Sequence, residues 1–185
     1  MKPLSLTLKN FGPYINETID FTKFEDSSLF LISGKTGSGK TTIFDGMSYA
    51  LFGESSGKLR LGKEMRSTFA DPSEATEVTL LFKHNEYLYE LNRLPEQELF
   101  KKRGTGVRKQ SAKISLIVKD AQGKELRAYS KRREVDELIQ ELLHLNANQF
   151  AQIVLLPQGE FRTFLIAKSD EKEKVLRNLF GTELY

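Results

Sequence analysis

The stretch Gly34 to Thr41, GKTGSGKT, fits G-x-x-x-x-G-K-[ST] at every fixed position. This pattern needs a buried strand before it and a helix after it. SLFLIS, residues 28–33, is short, continuous and apolar, as a strand covered on both faces should be. Beyond the loop, Ile43, Phe44, Met47, Ala50 and Leu51 recur at helical spacing, and Gly53 supplies a C-terminal stop. Average residue frequencies give a chance match in under roughly 1% of chains this long, so the context and the motif support each other.

Each fixed position has a physical reason. Gly34 lets the chain turn off the strand, while Gly37 and Gly39 clear side chains so that backbone N–H groups can ring phosphates. Lys40 reaches the β and γ oxygens as a point charge, and Thr41 offers a hydroxyl to Mg²⁺. Lys35, Thr36 and Ser38 fill the variable positions of the loop, and Thr42 follows in the helix whose positive end faces the anion. The expectation is a site for ATP and Mg²⁺ over Gly34 to Thr42. The plain alternative is a glycine-rich turn between strand and helix.

Hydrolysis in this class needs an acidic residue at the end of a buried strand, commonly with a second carboxylate to activate water. No run of four apolar residues leads directly into Asp; in SLIVKDAQ, Lys119 intervenes before Asp120. Neither His84 nor His144 has a carboxylate context suited to a general base. The chain therefore grips a triphosphate without the means to split it. It either transfers phosphate as a small nucleoside or nucleotide kinase does, or forms part of a larger ATPase. A third possibility is a DNA-binding module that uses ATP only as a conformational ligand.

The rest of the 185 residues reads as one soluble α/β domain, with 39% hydrophobic and 29% charged residues. LSLTLKNF alternates Leu4, Leu6 and Leu8 as a strand with one buried face, and ETIDF pairs back on it. Residues 54–76 read as a long loop with one short helix. TEVTLLF and YLYELNR form an antiparallel hairpin across KHNE, AKISLIV is a further strand, and KELRAYS another after AQG. From Arg132 the pattern turns helical, with Val135, Leu138, Ile139, Leu142 and Leu143 on one face. SDEKEKVLRNLFGTELY closes the sequence as a helix capped by Ser169 or Asp170. Residues 1–130 are thus expected to form the nucleotide-binding core and 131–185 a helical part. The absence of cysteine suits a cytoplasmic location, the start carries no secretory signal, and no apolar stretch approaches a membrane span.

The net charge of +3 conceals an asymmetry. Between Lys101 and Arg133 twelve basic residues face two acids, a net +10, which leaves the remainder at −7. Within KKRGTGVRKQSAK, the residues Lys101, Lys102, Arg103, Arg108, Lys109 and Lys113 stand with no acid among them. Gly104 and Gly106 suggest a mobile loop between strands. Such clustered charge fits a phosphate backbone and implies sequence-independent binding to double-stranded DNA. No aromatic residue interleaves with the cations, which argues against base stacking. A solvated hairpin tip is the bland reading.

In LLPQGEF, Pro157 removes a donor and Gly159 permits a tight turn, so Gln158 should project from an ordered loop. Its amide suits either Mg²⁺ coordination and water orientation, or a solvated corner between helices.

GKTGSGKTT followed about 115 residues later by LLPQGEFRTFL, with LKNFGPY, GKEMRSTFADP and LRNLFGTELY, resembles the SbcC family of bacterial head ATPases. The likeness covers the whole chain and implies an α/β fold. It is that of the N-terminal lobe of an ABC/SMC-type P-loop NTPase head, with a mixed sheet, antiparallel β hairpins and a C-terminal helical segment leading to a coiled coil. It also implies that the missing acids lie in the C-terminal half of the same head. Partners implied are a second SbcC head, the SbcD nuclease and double-stranded DNA, in ATP-driven processing of DNA ends and hairpins. On this resemblance Lys40 and Gln158 serve catalysis, Thr41 and Gln158 hold the metal, and Asn10 lies close to the nucleotide. Many relatives carry a basic residue where this chain has Gly12. Heads of the SMC, RecF and RecN kinds share the glycine loop alone.

Overall fold

The computed structural model describes residues 1–24, 32–55 and 62–154. Six strands make its frame: β1 (Lys2–Phe11), β2 (Tyr14–Asp20), β3 (Glu77–His84), β4 (Tyr87–Leu94), β7 (Lys113–Lys119) and β8 (Glu125–Tyr129). They form one sheet in the order β2-β1-β3-β4-β7-β8. A separate hairpin pairs β5 (Gln97–Phe100) with β6 (Val107–Gln110). Every pairing among these described strands is antiparallel. Three α-helices follow the chain order α1 (Lys40–Phe52), α2 (Arg132–Leu143) and α3 (Ala147–Val154), with short 3₁₀ turns at Thr22–Phe24 and Gly62–Met65.

Alternation along the strands makes the sheet two-sided. Register aligns Leu6 with Leu80, Leu80 with Leu91 and Leu91 with Leu116, all four with no solvent exposure. The adjacent row is Thr18, Thr7, Thr79, Asn92 and Ser115, half-buried or exposed and partly hydrogen-bonded across strands. Helices cover only the apolar side: α1 lies across β1, β3 and β4, and α2 over β7. Phe52 on α1 meets Phe150 on α3 at 5.4 Å between ring centres.

The hairpins expected from LSLTLKNF with ETIDF and from TEVTLLF with YLYELNR are present, the first already running from Tyr14. The helix after the glycine loop runs Lys40–Phe52 and ends where Gly53, at φ 75°, donates its N–H to the Tyr49 carbonyl. The buried face of α2 is the expected one, led by Val135 and Ile139. The segment 101–113 differs from expectation. Val107–Gln110 is a strand, and only the tip, closed by Lys101 N–H to the Gly106 carbonyl at 3.1 Å, is a turn. Of the strand expected over 28–33, residues 28–31 lie outside the described residues; Ile32 packs against the core. The terminal helix expected over 169–185 and the loop carrying Gln158 also lie outside them.

Candidate functional site

Gly37 and Gly39 hold φ of 84° and 86°, a left-handed conformation that glycine adopts without the steric cost of a β-carbon. Around Gly37 a β-carbon would meet nothing within 4 Å, so the loop stands open there. Gly39 is the N-cap of α1 and gives no side-chain cap, so the N–H groups of Lys40, Thr41 and Thr42 have no acceptor within the helix. Uncapped donors, positive helix end and open glycine backbone together make a cavity of positive potential suited to an anion.

Lys40 turns back into this loop. Its ammonium donates to the carbonyl oxygens of Gly34 and Lys35, each at 2.8 Å. Thr41 is exposed and Thr42 half-buried at the head of the helix. Ser38 Oγ lies 2.8 Å from where a β-carbon on Gly34 would sit, and the Ser38 N–H donates to the Lys35 carbonyl at 3.2 Å. Gly34, Lys35, Thr36, Gly37, Ser38, Gly39, Lys40, Thr41 and Thr42 are thus brought into one loop and one helical turn, as expected. The residue set fits a triphosphate with Mg²⁺: backbone donors, one mobile ammonium and one exposed hydroxyl.

The turn between β1 and β2 forms a wall of this site that the sequence did not reveal. A β-carbon on Gly39 would lie 2.8 Å from both Pro13 Cγ and Tyr14 Oη, and the Tyr14 hydroxyl donates to the Gly39 carbonyl at 3.2 Å. Partial burial, then the nearby Glu17 carboxylate, raises the Tyr14 hydroxyl pKa above its usual value. Asn10 ends β1 with φ 51° and is 3% exposed; its amide donates to the Ala75 carbonyl at 2.9 Å. Its carbonyl accepts from the Ser67 N–H at 2.8 Å and the Thr76 hydroxyl at 3.1 Å. Asn10 therefore joins the turn to the segment 66–76.

Arg66 organises that segment. Its guanidinium donates to the carbonyls of Glu74 and Asp71 at 2.6 and 2.7 Å, and to Thr76 Oγ1 and Gln97 Oε1 at 3.3 Å. Pro72 accepts from the Phe100 N–H at 3.0 Å, which fastens the β5–β6 hairpin to the same segment.

All six cations singled out on the hairpin are exposed. Lys102 is paired with Glu74 at 2.6 Å and Lys109 with Glu96 at 3.0 Å, so part of the charge is already neutralised. The hydrogen bond and charge of Lys102 hold the Glu74 carboxyl below its usual pKa. Lys101, Arg103, Arg108 and Lys113 make no ion pair among the described residues; Arg108 donates to Gln110 Oε1 at 3.3 Å. Among the described residues no three His, Asp or Glu side chains converge on a metal position, and no helix is long and apolar enough to cross a membrane.

Three comparisons bear on this geometry. The AAA domain family model matches residues 5–185. SbcC proteins, the larger-named half of the SbcCD nuclease, are 46% identical over 189 residues in Lactococcus lactis, 45% over 186 in Vibrio cholerae and 46% over 185 in Staphylococcus aureus. Each match covers 100% of this chain but only 18% of the relative, so the chain spans under a fifth of their length. A solved structure from work on ATP-driven dimerization and DNA stimulated activation of SMC ATPases aligns over 97% of this chain and 99% of its own. Its TM-score is 0.43 at 17% identity, too distant to carry an argument.

Proposed function

The chain belongs to the AAA domain family, and from that premise we propose that it is the N-terminal, ATP-binding lobe of an SbcC-type head ATPase. Residues 1–185 would form a single domain, with a P-loop NTPase core followed by a helical part that leads toward a coiled coil. The observation that carries this reading is the glycine loop itself: left-handed Gly37 and Gly39, an uncapped α1, and Lys40 turned inside.

In this reading Gly34 to Thr42 hold the triphosphate of ATP. Lys40 exchanges the Gly34 and Lys35 carbonyls for β and γ oxygens, a stronger charge-assisted pairing. Thr41, with Gln158, would hold Mg²⁺, which when bound supplies charge neutralisation at the phosphates. Gln158 would also report γ-phosphate occupancy to the helical part. Asn10 serves the nucleotide indirectly, by setting the turn whose Gly12 and Pro13 abut the loop. The carboxylates for hydrolysis would come from the C-terminal half of the same head, and a second head would close over the bound nucleotide. This lobe alone is therefore proposed to bind ATP without turning it over.

The cationic β5–β6 hairpin is proposed to contact the backbone of double-stranded DNA through Lys101, Lys102, Arg103, Arg108, Lys109 and Lys113, without sequence preference. ATP binding would then control processing of DNA ends and hairpins by an SbcD nuclease partner in the cytoplasm. A small kinase fits less well, because two antiparallel strands, β1 and β2, precede the glycine loop.

The test is a nucleotide titration with and without Lys40→Ala, together with ATPase assays of the chain alone and mixed with a C-terminal half. Expected are loss of binding in the variant and turnover only in the mixture. Robust turnover by the chain alone, or unchanged affinity in Lys40→Ala, would overturn the reading.

A further inference from the structure

Phe100 immediately precedes Lys101, and it is 55% exposed. It stands directly opposite Val107, itself 48% exposed, so both project from the same face of the β5–β6 hairpin. Leu99 next to it is fully buried, which anchors the strand and leaves the Phe100 ring in solvent by the alternation of the pleat. Glu98 and Lys109 form the next pair on that face, and Lys101, Lys102 and Arg103 follow at the tip.

A second ring stands on the neighbouring segment. Phe69 is 75% exposed, in a loop held from both ends. The Phe69 N–H donates to Ser67 Oγ at 3.3 Å, Ser67 is tied to Asn10, and Arg66 grips the carbonyls of Asp71 and Glu74. The Phe100 N–H bond to the Pro72 carbonyl and the Lys102–Glu74 pair join the two pieces. Exposed aromatic rings on a fixed frame, beside cations, differ from a flexible solvated tip. A large ring left in water costs free energy unless something covers it. The cations on the same hairpin select a polyanion as that cover.

We propose that Phe100 and Phe69, with Lys101 and Arg103, form a platform on which unpaired bases of single-stranded DNA stack, as at a frayed end or hairpin loop. The inference rests on the reading that this hairpin contacts DNA, and adds to it a preference for unpaired over paired bases. Paired bases keep their faces inside the duplex, so only the backbone cations would serve there. Unpaired bases offer π-faces, and aromatic stacking on them is tolerant of sequence.

The experiment is fluorescence anisotropy of the full chain with a labelled oligothymidylate and with a labelled blunt duplex, each across a salt series. The variants are Phe100→Ala, Phe69→Ala, Phe100→Tyr, and Lys101→Gln with Arg103→Gln; thermal melts confirm that each folds. Expected is a loss of about tenfold on oligothymidylate for either alanine variant, with less than about twofold on duplex. Phe100→Tyr should retain wild-type affinity, and the double glutamine variant should weaken both ligands and flatten both salt slopes. If the glutamine variant weakens both while the alanine variants weaken neither, base stacking is overturned and backbone contact survives. If no variant changes either affinity, both readings fall. Equal losses on both ligands in the alanine variants, or an effect confined to association with another protein, also overturn the platform.

Discussion

A β-carbon on Gly12 would lie 2.5 Å from Cγ2 of Thr42, closer than two carbons can approach. The β1–β2 turn is therefore pressed against the first turn of α1, at the glycine loop. Gly12 also holds φ 56° and donates its N–H to the Met65 carbonyl at 2.8 Å, so the turn is pinned from behind.

Replacing Gly12 should thus disturb the loop. Gly12→Ala incurs a left-handed backbone cost of about 1–2 kcal/mol and also the clash with Thr42. Expected are a melting temperature lower by several degrees and weaker ATP binding. Adding Thr42→Ser removes Cγ2, keeps the hydroxyl, and should restore affinity but not the backbone share of stability. Thermal unfolding and nucleotide titration separate the two; identical behaviour of single and double variants would show that the contact does not matter.

Arg93 marks the opposite end of the same helix. It is 5% exposed, and Nε donates to the Ala50 carbonyl at 3.0 Å, while Nη2 reaches Leu51 at 3.2 Å and Asp136 on α2 at 2.9 Å. The cation thus meets the negative end of α1 and ties it to the following helix. Arg93→Met should cost about 2–3 kcal/mol, because buried carbonyls lose a charged donor. Asp136→Asn should cost less than about 1 kcal/mol, since that carboxylate is more than a third exposed. Denaturant unfolding of both variants measures the difference. Equal losses would place the value of the network in the ion pair instead of the helix cap.

How much of this was legible from sequence follows from the range of each signal. The glycine loop, α1 and the β1–β2 and β3–β4 hairpins are written in local periodicity and turn residues, and they stand where expected. Arg93 could not be read, because its partners on α1 lie 42 and 43 residues away in sequence. Nor could the wall formed by Gly12, Pro13 and Tyr14, which depends on how the first hairpin meets the helix. In 97–110, glycines and charge suggested a loop, whereas pairing of Phe100 with Val107 makes a strand and exposes the ring. The charge count was legible; its partial cancellation by Glu74 and Glu96 was not.

Arg66 offers a test of the frame behind Phe69. Its two terminal nitrogens reach four acceptors spread over Asp71, Glu74, Thr76 and Gln97. An ammonium is a point charge and cannot span that set. Arg66→Lys should therefore loosen residues 67–76, raising amide hydrogen exchange there, while strands β1, β3 and β4 keep their protection. Uniformly faster exchange would instead mean that Arg66 supports the whole fold.

Glu74 governs how much charge the hairpin offers to a polyanion. Its carboxylate pairs with Lys102 at 2.6 Å and Lys9 at 3.6 Å, and Lys102 first, by hydrogen bond and charge, lowers its pKa. With the folded value depressed, the pairing is fully present above the unfolded pKa and is lost as pH falls through the folded one. At neutral pH Glu74→Gln should free Lys102, raise duplex affinity by a fewfold, and steepen the salt slope by up to about one charge. Lowering the pH protonates Glu74 and has the same effect on the wild type. The two proteins should therefore differ at neutral pH and converge only below the ordinary carboxylate range. Anisotropy with duplex DNA at a series of pH values measures this. Curves that coincide at neutral pH would mean that Lys102 meets no phosphate.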